Sequence, residues 1–82
     1  MINLEVETKL SQVEVIRRLK GFFGKGGLGL VLREETPACL TFEGGGGYVT
    51  ASLCQEEGKM RVNLVGQEWD YQIKEFFSTL PK

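Results

Sequence analysis

The chain has 82 residues, 41% of them hydrophobic and 26% charged, with ten basic against eleven acidic side chains and a net charge of −1. This is the composition of one folded domain with a small core, and the charge balance provides no general basic surface for nucleic acid. Histidine is absent, which removes the commonest general base, the commonest metal ligand and every histidine-containing triad.

Ile2, Leu4 and Val6 alternate with Asn3, Glu5 and Glu7. That period of two predicts a strand with one buried face. Ser11-Gln12-Val13-Glu14 is an S-x-x-E capping box and opens a helix. Val15, Ile16, Leu19, Phe22 and Phe23 form its apolar side, and Gly21 and Gly24 weaken and stop its end. The Gly-rich loop Gly24–Gly29 follows, and then an apolar run, Leu28 to Thr36, predicted as a strand and broken by Pro37.

Ala38, Leu40 and Phe42 alternate as a third strand, and the four glycines Gly44–Gly47 form a hairpin tip. Val49, Ala51 and Leu53 mark the fourth strand. Gln55-Glu56-Glu57-Gly58 reads as a four-residue hairpin loop, and Met60, Val62 and Leu64 mark the fifth strand. The last helix is predicted from Glu68 to Leu80. Trp69, Ile73, Phe76, Phe77 and Leu80 recur on one stripe of it, and Pro81 marks its stop.

The order β-α-β-β-β-β-α predicts a single α+β domain over residues 1–82, an antiparallel five-stranded sheet with two helices packed on one face. No apolar run approaches a membrane span, and MINLEVETK lacks the basic and apolar regions of a signal peptide. With two cysteines and no export signal, the expectation is a cytoplasmic protein with reduced thiols and no membrane partner.

The candidate chemistry lies in the glycines. Gly24, Gly26 and Gly29 spell G-x-G-x-x-G, but the dinucleotide fingerprint needs strand, loop and helix in that order, and here the loop follows a helix. The meander brings Gly24–Gly29, Gly44–Gly47 and the start of the last helix to one end of the sheet. Exposed N–H groups there, with Lys25, could hold a small anion or a partner's carboxylate. The candidate ligand-binding residues are therefore Lys25, Gly26, Gly27, Gly45, Gly46 and Tyr48, with Trp69 and Tyr48 flanking the site.

Strand two should be a sheet edge, and its apolar start makes Leu28, Leu30 and Val31 candidate residues of a homodimer interface. Cys39 should face Ser52 across the third and fourth strands, with Cys54 diagonal to it, which is too far for an unstrained disulfide. No Ser or Cys has a base, and no metal-ligand spacing occurs, so no catalytic residue, metal site or cofactor is expected.

Two family resemblances add alternatives. Leu4-Glu5-Val6-Glu7-Thr8 before the first helix, and Trp69-Asp70-Tyr71 through Phe76-Phe77 at the end, make the chain resemble a shortened helix-grip domain of the polyketide-cyclase/START-like kind. That resemblance implies a long C-terminal helix in the curve of the sheet and a ligand-binding role. Phe23-Gly24-Lys25-Gly26-Gly27, followed by Leu32 to Ala38, resembles the G-x-x-G loop region of KH domains, which implies a clamp on a nucleic-acid backbone. The leading expectation from the residues themselves is a non-enzymatic, self-associating interaction module of unknown pathway. A helix-grip-like ligand binder and a KH-like nucleic-acid binder are the alternatives.

Overall fold

The computed structural model describes residues 1–81. The elements are β1 (Ile2–Thr8), α1 (Gln12–Phe23), β2 (Val31–Thr36), β3 (Cys39–Gly44), β4 (Gly47–Glu56), β5 (Lys59–Gln67) and α2 (Asp70–Ser78). All five strands form one antiparallel sheet in the order β1-β5-β4-β3-β2. This is the α+β architecture expected from the order of elements. β1 and β2 are the two edges, and α1 carries the chain between them.

Alternation sets the two faces. Leu40, Phe42, Val49, Ala51, Val62 and Leu64 are buried on the inner face, while Glu5, Glu7, Glu43, Ser52 and Cys54 are exposed on the other. Both helices cover the inner face. Val15, Leu19 and Phe23 of α1 join Ile73 and Phe76 of α2 in one core with the strands. Phe23 is the hub: its ring centroid lies 5.5 Å from Phe76 and 5.9 Å from Phe42, tying both helices to β3. Burying a phenylalanine of this kind contributes roughly 1.5–3 kcal/mol. At Gly66 a side chain would meet Ile73 Cδ1 at 2.6 Å, so the missing Cβ lets α2 sit close on β5.

The α1 boundary follows the sequence pattern, and three others differ from it. As expected, α1 runs through Gly21 to Phe23 and is capped by Gly24; Phe22 and Phe23 have a core to enter that outweighs the glycine at 21. β2 begins at Val31 rather than Leu28, because Leu28 and Leu30 donate their N–H groups to the carbonyls of Phe22 and Phe23 instead of to a strand. The β4–β5 loop is only Glu57-Gly58, both with positive φ, which continues the twist of the two strands. α2 is Asp70–Ser78, shorter at both ends than Glu68 to Leu80. Glu68 holds φ +74 and turns the chain into the helix.

Candidate functional site

A groove of about 660 Å³ lies between the end of α1 and β2. Ser11 starts the element that builds it: its side chain accepts from the N–H of Glu14 at 3.2 Å, and the helix then places Lys20, Gly21 and Gly24 along one wall. Leu30, Leu32 and Phe42 supply apolar lining from the sheet side. Lys20 reaches over to Glu35 of β2, Nζ to Oε2 2.7 Å, and bounds one part of the groove. Lys25 and Gly26 bound another, and Lys25 takes part in no ion pair among the described residues.

The Gly24–Gly29 loop uses most of its own donors. The N–H groups of Gly24, Gly27, Leu28, Gly29 and Leu30 go to the carbonyls of Lys20, Gly24, Phe22, Gly24 and Phe23, all within 3.0 Å. These N–H groups are committed to the turn and are not free to cradle an anion. Gly27 lies against the helix end, where a side chain would meet Phe22 O at 2.1 Å. Lys25 is therefore the part of this loop best able to meet an external charge.

The second glycine loop lies at the same end of the sheet. A Cβ on Gly44 would approach Leu30 Cγ to 3.3 Å, and one on Gly45 would approach Trp69 Cζ2 to 2.6 Å. Gly45 and Gly46 form a two-residue hairpin with φ +60 and +83. The indole of Trp69 closes over this turn and donates to Gly44 O at 3.0 Å. Tyr48 is elsewhere. It pairs with Glu43 and Gln67 on the outer face, and its hydroxyl lies 3.4 Å from Met1 Sδ. Alternation separates it from Trp69 by the thickness of the sheet.

Of the residues singled out from sequence, Lys25, Gly26, Leu30 and Val31 therefore meet in one groove. Gly45 and Gly46 lie under Trp69, Gly27 packs on the helix end, Leu28 is exposed on the loop, and Tyr48 faces away. Lys20, Gly21, Gly24, Gly29, Leu32 and Phe42 join the groove without having been singled out as site residues. One sign of it was present in the sequence: Gly21 interrupts an otherwise amphipathic helix.

Cys39 lies opposite Ser52, and Cys54 opposite Arg61 and exposed, both as free thiols. Arg61 bridges Glu56 at 2.7 Å and Glu5 at 3.3 Å on the outer face. Among the described residues there is no group of three or more His, Cys, Asp or Glu side chains that could hold a metal ion. No buried side-chain polar atom among them lacks a partner. No helix of the described chain is long and apolar enough to cross a membrane. No protein-family model, curated protein or solved structure matches this chain.

Proposed function

We propose that this protein is a non-enzymatic interaction module that self-associates through the outer edge of β2. The observation that supports this reading is the pattern of that edge. β2 pairs only with β3 among the described strands, Val31 is 51% exposed, and a bulge between Leu32 and Glu34 changes the strand's alternation. The bulge leaves Val31 and Glu34 opposite the outer-face residues Glu43 and Thr41, while Leu32 and Glu35 lie opposite Phe42 and Leu40.

With that alternation, a two-fold antiparallel register centred between Arg33 and Glu34 matches both faces and sets opposite charges together. Arg33 lies opposite Glu34 of a second copy, Leu32 opposite Glu35, and Val31 opposite Thr36. The Arg33–Glu34 match occurs twice by symmetry. Opposite charges across a strand pair contribute roughly 0.2–1 kcal/mol each, and like charges oppose pairing. A bulge and three charges blunt an edge against arbitrary strands; here they favour one register of one partner. The other edge lacks this property. Pairing β1 with itself about its centre sets Glu5 against Glu5 or Glu7.

Light scattering on Arg33→Glu and Glu34→Arg tests the reading. Each variant alone places like charges in register and should be monomeric. An equal mixture of the two restores an opposite-charge pair at both symmetry-related contacts and should dimerise. A wild-type chain that stays monomeric at all concentrations, or variants that dimerise alone as well as mixed, would sink it.

A further inference from the structure

The glycines around the α1–β2 groove divide into two kinds. Gly24 and Gly27 are required by the fold, since a Cβ there would lie 2.5 Å from Lys20 O and 2.1 Å from Phe22 O. Gly21 and Gly26 are not. A Cβ at either meets nothing within 4 Å, and neither has a positive φ. Gly21 is inside α1, where glycine is less stable than alanine by about 1 kcal/mol. Both residues line the groove, and their missing side chains leave it open along the helix backbone.

The rest of the lining has two chemical characters. Val31 and Leu32 present the accessible apolar surface, and Leu30 and Phe42, buried in the core, hold the floor beneath them by packing. Among the described residues, Lys20 and Lys25 are the only charged ones that line it. Lys20 is neutralised by Glu35, which leaves Lys25 as the uncompensated charge. A cavity of this size lined by apolar side chains with one placed charge is the usual form of a small-molecule site. A cation would be repelled by Lys25, and a neutral apolar ligand would leave it unused.

We infer that the groove binds a small amphipathic monoanion, with its apolar body on Val31 and Leu32 beside Gly21 and its carboxylate or sulfonate at Lys25. Every lining residue comes from one chain, and Val31 and Leu32 belong both to the groove and to the β2 edge. The groove lies apart from the interface between the sheet and α2, where Ile73 and Phe76 are buried in the core.

Fluorescence titration with 8-anilinonaphthalene-1-sulfonate tests this, with N-phenyl-1-naphthylamine as its uncharged counterpart. The native chain should bind one sulfonate dye saturably. Gly21→Leu should fill the groove and weaken both dyes by about ten-fold or more, and Lys25→Glu should weaken only the sulfonate, by about five-fold or more. Gly21→Ala should raise the thermal midpoint, because the fold does not need that glycine. Arg33→Glu, designed to be monomeric, should still bind the sulfonate dye, because every lining residue comes from one chain. Unsaturable dye binding, equal binding by Gly21→Leu, or equal weakening of both dyes by Lys25→Glu would overturn the assignment. A lower midpoint for Gly21→Ala would overturn its premise.

Discussion

Trp69 and Gly45 are in mutual contact across the end of the sheet: the indole closes over the β3–β4 turn at the point where Gly45 has no side chain. The turn and the entry to α2 thereby hold each other. The indole N–H also satisfies the Gly44 carbonyl that the turn exposes, at 3.0 Å.

Gly45→Asn is a substitution that hairpin rules alone would favour, since Asn-Gly suits a two-residue turn with both φ values positive. Here the new Cβ lies 2.6 Å from Trp69 Cζ2. The contact should outweigh the turn preference and destabilise by about 1–3 kcal/mol. Denaturant unfolding measures it, and Trp69, the chain's one tryptophan, reports the displaced indole by a shift in its emission.

The β4–β5 turn provides the contrast. Glu57 has φ +45 and Gly58 φ +82, and Glu57 is exposed. A glutamate disfavours that conformation, whereas asparagine tolerates it. Glu57→Asn should therefore stabilise the protein by about 0.5–1 kcal/mol. The denaturation midpoint should rise with an unchanged slope, and a fall would show that the turn depends on the Glu57 side chain.

Thr8 is the one buried polar residue among those described, 1% exposed at the end of β1. Its hydroxyl donates to the Pro81 carbonyl and accepts from the Leu10 N–H at 3.3 Å, tying the chain's last described turn to its first strand. Thr8→Val keeps the shape and leaves both groups unpaired. A loss of about 1–2 kcal/mol is expected, with faster amide exchange at Leu80 and Leu10. Thr8→Ser should retain most of the stability.

The Glu14 carboxyl sits between two arginines of α1. Hydrogen bonding to Arg17, then the charges of Arg17 and Arg18, hold it below the usual glutamate range. A carboxyl lowered by folding stabilises the protein above its unfolded-state value, and the contribution is lost as pH falls through the folded value. Glu14 should titrate below the ordinary glutamate value in an acid NMR titration. Glu14→Gln should flatten the acid limb of the stability profile over that window. An ordinary titration of Glu14 would remove this account of its ion pairs.

Several features of the fold were legible locally. The alternation of Leu40 with Phe42, of Val62 with Leu64, and the 3.6-residue stripe through Ile73 and Phe76 repeat within a few residues, and each repeat is a direct consequence of backbone geometry. Short connections then dictated antiparallel neighbours, so β2 as an edge and Cys39 opposite Ser52 followed from them. The sequence also indicated that Lys25 and Leu30 belong to one end of the sheet.

Tertiary structure decided what the glycines do. A glycine has no side chain to leave a periodic signature, so Gly21, Gly24, Gly27 and Gly45 look alike in sequence. They differ in what stands where a Cβ would be: open space, Lys20 O, Phe22 O or the Trp69 ring. The same holds for β2. Leu28 and Leu30 carry strand-like spacing, yet the carbonyls of Phe22 and Phe23 capture their N–H groups, and the bulge beyond Leu32 sets which charges share a face. Local patterning determined where chain direction and burial alternate; the packing of α1 against the β2 edge determined where an open surface remained.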